Sequence, residues 1–114
     1  MMNLIEINKV KAFIQYDPEI DMFRGEFIGI NGGADFYADN IEDLKKEGEI
    51  SLKVFLEMCA EDEVEAYKKF SGKFNVRIDP MLHEKVVTMS KAQMISLNEF
   101  VNEAIESKLS SSSL

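Results

Sequence analysis

Three polar side chains near the middle of the chain could do chemistry with a nucleic acid. In the stretch SGKFNVRIDP, Lys73, Asn75 and Arg77 alternate with apolar residues, so a β-strand would place all three on one face. Arg and Lys can bind the O6 and N7 atoms of guanine and Asn can bind adenine, each contact giving roughly 1–3 kcal/mol of base discrimination. The alternation alone also fits the solvated outer face of an edge strand, so the neighbouring elements must decide.

Two short helices should follow this strand. Asp79 can cap a helix and Pro80 suits the first helical position, which predicts a helix over about 80–91. Ser96, with Glu99 three residues later, has the capping-box pattern that begins a second helix. The order strand, helix, helix is therefore expected in the C-terminal part of the chain.

One strand and two short helices cannot bury the strand's apolar face. The strand's backbone groups would stay unpaired and its apolar side chains would stay uncovered. The simplest solution is a second copy of the chain, with the two strands paired antiparallel and four helices sharing one core. The expected dimer core consists of Phe74, Val76, Ile78, Leu82, Val86, Phe100, Val101 and Ile105. The two polar faces then form a ribbon that fits the major groove of B-DNA.

The charge is divided unequally along the chain, whose formal net charge is −8. Residues 1–70 hold 8 basic and 16 acidic residues, whereas residues 71–114 hold 5 of each and are neutral. An acidic surface repels phosphate backbones and suits a basic protein partner. The basic strand therefore lies in a neutral part of the chain, next to a strongly acidic one.

The acidic part predicts an antiparallel sheet covered by one helix. Strands are expected over 9–16, 22–30 and 34–39, separated by turn-forming YDPEID and NGG segments. The helix should begin at Asp39 or Asn40 and bury a stripe with spacings of three and four. This stripe consists of Ile41, Leu44, Gly48, Leu52, Phe55 and Cys59. Gly48 weakens the helix by roughly 1 kcal/mol relative to Ala, so the helix could kink or break at this residue. A further short strand near 67–70 is also left as a possibility.

Composition excludes several classes of protein. No apolar run approaches the roughly 20 residues that span a bilayer, and the N-terminus shows no signal-peptide pattern. A single Cys59 cannot form an internal disulfide and favours a reducing, cytoplasmic setting, where it should be a buried small hydrophobe. His83 is the only histidine and has no nucleophile beside it, so we expect a solvated surface residue. We expect no metal and no cofactor.

Several segments together resemble the HicB family of antitoxins over nearly the whole chain. They are YDPEIDMFRGEFIGI, FYADNIEDLKKE and FLEMC…FSGKFNVRIDPMLHEKV…SLNEFVNEAI. The resemblance implies an α+β chain: a truncated, RNase H-like N-terminal domain without nuclease function, then a ribbon-helix-helix DNA-binding domain that forms an intertwined dimer. We therefore expect a toxin-neutralising domain over 1–66, a linker over 67–72, a ribbon-helix-helix domain over 73–110 and a frayed tail over 111–114.

The resemblance also implies a function and its partners. The protein would be an antitoxin of a type II toxin-antitoxin system that blocks a HicA-like toxin, a small basic mRNA-cleaving protein. It would repress its own operon by binding operator double-stranded DNA as a homodimer, with pairing into tetramers left open. We expect no membrane partner, and a cytoplasmic protein that is nucleoid-associated when bound to the operator. The residues that contact the toxin are not assigned.

The resemblance assigns roles to two groups of residues. Base contacts fall to Lys73, Asn75 and Arg77. The helix start at Ser96, Leu97 and Asn98 would bind a DNA phosphate through free backbone N–H groups, which the helix dipole favours. Helix capping alone also explains the types of residue at this second group.

Two alternatives remain. The protein could be a stand-alone ribbon-helix-helix repressor whose N-terminal domain senses a ligand or assembles tetramers. It could also be a metal-dependent nuclease with a cluster of Glu26, Asp35, Asp39 and Glu42, but nothing in their spacing defines a geometry. We therefore predict that the protein is not an enzyme.

The chain departs from the family pattern at two connections. The segment KAQMIS between the two C-terminal helices lacks a glycine, so either Gln93 or Met94 adopts an unfavourable left-handed conformation or the helix ends differently. The linker EDEVEAYKKF lacks glycine and proline.

Overall fold

The structure is a computed structural model that describes residues 3–112. The chain divides into two compact units, with the boundary between Ser71 and Gly72. None of the helices within the described residues is long and apolar enough to cross a membrane.

The first unit contains a four-stranded antiparallel sheet. Its strands are β1 (Leu4–Ile7), β2 (Val10–Asp17), β3 (Met22–Phe27) and β4 (Phe36–Ala38), and their order in the sheet is β1-β2-β3-β4. The expected α+β class and antiparallel meander are confirmed.

Strand β1 was not expected. It pairs with β2 through a tight turn at Asn8 and Lys9, which have φ angles of 48° and 69°. Hairpin turns of this kind need two residues with positive φ and usually contain glycine, which this turn lacks. Asn8, which tolerates this conformation, is the one signal that could have revealed the hairpin.

Helix α1 (Ile41–Glu61) covers one face of the sheet. Its N-cap is Asn40, whose side chain accepts a hydrogen bond of 2.8 Å from the backbone N–H of Asp43. The helix continues through Gly48 without interruption, so the kink or break considered there does not occur. A β-carbon at Gly48 would lie 2.3 Å from Cδ1 of Ile7, which shows that the glycine lets the helix approach the sheet closely.

The apolar core of the first unit lies between α1 and the sheet. Most of the predicted stripe of α1 is buried, including Leu44, Leu52 and Cys59, but Ile41 at the start of the helix is exposed. The rest of the core comes from the sheet and the segment after β3. Its buried members are Ile7, Val10, Ala12, Phe27, Ile30, Phe36 and Ala38.

Replacing Gly48 with Ala should lower the free energy of unfolding by about 1 kcal/mol. Alanine normally stabilises a helix interior by about the same amount, but here its methyl group would overpack against Ile7 and Phe36. Urea denaturation followed by circular dichroism measures the difference. Glu49→Ala, at the next and exposed position, is the control and should change stability by less than about 0.5 kcal/mol. A Gly48→Ala protein more stable than wild type would contradict this packing.

The segment after α1 is held against the residues that follow β3. Ile30 and Tyr67 form an isolated antiparallel bridge, and the N–H of Asn31 donates to the C=O of Ala66 at 2.8 Å. The side-chain amide of Asn31 donates to two further carbonyls of this segment, each at 3.1 Å. The expected short strand is thus a single bridge, and the first residues of the expected linker 67–72 are attached to the first unit.

The second unit contains helices α2 (Pro80–Ala92) and α3 (Leu97–Ser111), which pack on each other. The predicted helix starts are confirmed. The frayed tail was expected to begin at residue 111, but α3 includes Ser111 and has Ser112 as its C-cap. The hydroxyl groups of both serines donate to the C=O of Lys108, which extends the helix. Residues 113–114 lie outside the described residues.

The connection between α2 and α3 shows the first of the two alternatives, a left-handed residue. Met94 has a φ angle of 58°. Its N–H donates to the C=O of Lys91, and the N–H of Ile95 donates to the C=O of Ser90, both at 3.0 Å. This pair of bonds is a Schellman motif, whose left-handed position is normally glycine.

Replacing Met94 with Gly should raise the free energy of unfolding by about 1 kcal/mol, because glycine adopts the left-handed conformation without the steric cost paid by methionine. The methionine side chain is fully exposed at this point, so little packing is lost. Chemical denaturation measures the change. Gln93→Gly is the control, since Gln93 has a φ of −86° and gains nothing from glycine. Equal effects of the two substitutions would rule out the backbone explanation.

Candidate nucleic-acid interface

The segment 73–78 precedes α2 and forms neither helix nor strand in the single chain. Its three polar residues Lys73, Asn75 and Arg77 are exposed. The alternating apolar residues are exposed as well, with 73% of Phe74 and 68% of Val76 accessible. Within residues 3–112, the apolar face of this segment therefore remains largely uncovered.

The helices of the second unit have no apolar core of their own. Their one buried residue is Ser90, whose hydroxyl donates to the C=O of Val87 at 2.9 Å. The predicted buried face of α2 is not formed within one chain, because Leu82 and Met89 are about half exposed and only Val86 is half-buried. Two helices alone cannot enclose these side chains.

The apolar residues instead line an open groove of about 840 Å³ within the second unit. Residues of both the 73–78 segment and the helices contribute to it, including Phe74, Val76, Val86, Val101 and Ile105. These five belong to the expected dimer core. The structure thus brings these five residues to one exposed surface. Phe100, also part of the expected dimer core, does not line the groove and is half-buried.

The start of α3 has free hydrogen-bond donors. The hydroxyl of Ser96 accepts from the N–H of Glu99 at 3.0 Å, and the C=O of Ser96 accepts from the N–H of Phe100. Within residues 3–112, the N–H groups of Leu97 and Asn98 have no acceptor. At a helix N-terminus such groups are suited to bind an anion.

The start of α2 differs, because an anion already lies there. The carboxylate of Asp79 accepts a hydrogen bond of 2.8 Å from the N–H of Met81. Pro80 removes a further donor. Of the two helices, only α3 begins with a neutral cap and free donors.

Three of the four acidic residues of the nuclease alternative have other partners. Asp35 forms an ion pair and hydrogen bonds with Arg24, and this hydrogen bonding raises the pKa of Arg24. Asp39 accepts from the side chain of Asn40 at 2.7 Å, and Glu42 lies 3.7 Å from Lys46. In the described part of the chain, no three His, Cys, Asp or Glu side chains are grouped to hold a metal ion. Glu26 is exposed on the outer side of the sheet.

Cys59 and His83, the two other residues discussed in the sequence analysis, lie where they were expected. Cys59 is buried in the first unit as a small apolar residue. His83 is exposed on α2 and borders the apolar groove.

One surface was missed by the sequence analysis. Ile50, Val54 and Met58 lie on the face of α1 that points away from the sheet, and all three are exposed. Their spacing of four residues was the signal for a second apolar stripe on this helix. This row of three residues is called the α1 ridge below.

Comparison with known proteins yields one match. Residues 55–105 match the model of the HicB family, and this range includes the 73–78 segment, all of α2 and the start of α3. No curated protein and no solved structure matches the chain. The matched range contains the basic segment and the caps of both helices described above, so this part of the chain is similar to the HicB family.

Proposed function

We propose that this protein is the antitoxin of a type II toxin-antitoxin system that also represses its own operon. The match of residues 55–105 to the HicB family supports an antitoxin role. The finer assignment gives each unit one task. The first unit blocks a HicA-like, mRNA-cleaving toxin, and the second unit binds operator DNA as a ribbon-helix-helix dimer.

The observation that carries the DNA-binding part is the uncovered apolar surface of the second unit. Phe74 and Val76 are mostly exposed in the single chain, beside an open apolar groove. Exposed apolar surface of this extent marks an interaction site. A second copy would cover it, since antiparallel pairing of the two 73–78 segments would also satisfy their backbone groups.

Dimer formation gives the polar residues their role. Once the apolar side chains face the shared helices, Lys73, Asn75 and Arg77 of both chains project from the opposite face of a two-stranded ribbon. A ribbon of this kind enters the major groove, where these side-chain types bind base edges. The free N–H groups of Leu97 and Asn98 would bind a flanking phosphate and hold the ribbon in register.

The charge distribution supports the toxin-binding part. Residues 1–70 carry all of the net negative charge. A strongly acidic unit attracts a small basic protein and speeds its encounter. The proposed role needs no catalytic group, metal or cofactor in this chain, and places the protein in the cytoplasm with its operator.

A mixing experiment tests the proposal. The protein is added to the small, basic, His-containing protein encoded beside its gene, and cleavage of an mRNA substrate is followed. We expect cleavage to stop at equimolar antitoxin and the operator fragment to be retarded in a gel by the antitoxin alone. Unaffected cleavage would remove the antitoxin function, and an unshifted operator would remove repression.

A stand-alone repressor is the second candidate. The first unit has a groove of about 550 Å³ between α1 and Tyr67, lined in part by Leu52 and Leu56, which could hold a small apolar ligand. This candidate predicts operator binding with no adjacent toxin gene. Co-purification of the protein from its native operon distinguishes the two.

A further inference from the structure

The α1 ridge is an apolar surface on an acidic unit. Ile50, Val54 and Met58 are 58%, 50% and 56% exposed, although each belongs to a well-formed helix whose other face is buried. Eight residues of helix separate the first from the last, so the ridge is about 12 Å long. Single exposed apolar residues are ordinary, but a continuous row of them indicates a binding surface.

Acidic side chains border the ridge. At about 100° per residue, Glu47, Glu57 and Glu61 project from the same side of α1 as the ridge, and all are exposed. Lys46 and Lys53 lie along one flank, and Lys46 is paired with Glu42. The ridge is thus acidic at its C-terminal end, around Met58, and mixed in charge around Ile50.

The acidic residues at the end of α1 are unfavourable for the helix itself. The C-terminal end of a helix carries partial negative charge and is normally stabilised by Lys, Arg or His. The last turn of α1 has no basic residue, and Glu57, Glu61, Asp62 and Glu63 are clustered at this end. Within residues 3–112, none of these four carboxylates forms an ion pair.

The backbone adds a second cost at the same place. Glu63 has a φ angle of 55°, a left-handed conformation that favours glycine. Its N–H donates to the C=O of Ala60, and the N–H of Val64 donates to the C=O of Cys59, as in a Schellman motif. Local rules are broken in this way where a binding site has its own requirements.

From these observations we infer that the α1 ridge and the carboxylates at the end of α1 form the surface that binds the basic toxin. This inference rests on the proposed antitoxin function and names its contact surface. The ridge inserts into an apolar groove of the toxin, as a helix does in helix-in-groove recognition. Cationic side chains around that groove then neutralise Glu57, Glu61 and Asp62, which relieves the repulsion at the helix end.

The first test uses Glu57→Lys with Glu61→Lys in the full chain, and its expected signature has two parts. Binding to the basic ribonuclease encoded beside the gene should weaken by roughly 10- to 100-fold, measured by titration calorimetry. The midpoint of thermal unfolding of the free chain should rise by roughly 3–6 °C, because cations suit the helix C-terminus. A purely structural role for these glutamates would not give weaker binding together with higher stability.

The second test removes apolar character from the ridge without changing charge. Val54→Asn should weaken binding by about 10-fold and leave thermal stability unchanged, since valine and asparagine have similar helix propensities. Ile20→Asn is the matched control, because Ile20 is an equally exposed apolar residue of the first unit outside α1. It should bind like wild type. All variants should keep the operator affinity of the wild-type chain.

The outcomes separate this inference from the function on which it rests. If the wild-type chain forms no complex with the ribonuclease, the antitoxin function falls and the inference falls with it. If wild type binds and the ridge variants bind equally well, only the inference is overturned. A second copy of this chain is the other possible occupant of the ridge, and sedimentation of the free chain tests for it. A lower oligomeric state of Val54→Asn than of the wild-type chain would show that a second copy covers the ridge, and would overturn the inference.

Discussion

Replacing Val76 with Asp should convert the protein to a monomer and abolish operator binding. In the proposed dimer Val76 lies in the shared core, and burying an unpaired carboxylate there costs several kcal/mol in each of two copies. In the single chain the side chain is mostly exposed, so the first unit should remain folded. Sedimentation equilibrium measures the oligomeric state, and gel retardation measures operator binding.

The neighbouring position provides a matched control. Asn75→Asp introduces the same charge on the opposite face of the segment, where the proposed ribbon meets DNA. This variant should stay dimeric and still lose operator binding, because the carboxylate repels the phosphates. If Val76→Asp remained dimeric, or if both variants became monomeric, the assignment of the two faces would be wrong.

Replacing Arg77 with Ala should weaken operator binding by roughly 1–3 kcal/mol, about 5- to 150-fold, and relax the sequence preference. The loss should be largest on the true operator and small on unrelated DNA, because a base contact rather than only a phosphate contact is removed. Fluorescence anisotropy with both fragments, at a stated salt concentration, measures the difference. Binding of the toxin should be unchanged, since Arg77 lies outside the first unit.

Lys108→Ala is the control for this experiment. It removes one exposed positive charge near the end of α3, far along the chain from the 73–78 segment. Its effect on the operator and on unrelated DNA should be small and equal. An Arg77→Ala protein with the same pattern would show that Arg77 contributes only general charge.

Helix starts were predictable because caps are local. Asn40, Asp79 and Ser96 each accept a hydrogen bond from a backbone N–H two or three residues later. The residue types and their short spacing are therefore enough to locate the first turn. The left-handed residue at Met94 was predictable only as one of two candidates, Gln93 or Met94, beside the alternative that the helix ends differently.

Contacts between distant parts of the chain were not predictable in the same way. Gly48 is a weak helix former, and its local effect indicated a kink. Its actual role is to leave room for Ile7, a residue of a strand that was itself not expected. The turn at Asn8 and Lys9 has no glycine to mark it, and only pairing with β2 shows that β1 exists.

The amino-acid sequence alone determined the starts of the three helices, the split in charge and the basic segment at the start of the second unit, because periodicity, caps and charge are properties of neighbouring residues. Tertiary structure decided which apolar residues are covered. The stripe of α1 is buried by the sheet, whereas the α1 ridge and the apolar face of the second unit remain exposed. Burial depends on what a folded chain places opposite each side chain, and the part of the chain that the structure describes leaves these two surfaces exposed.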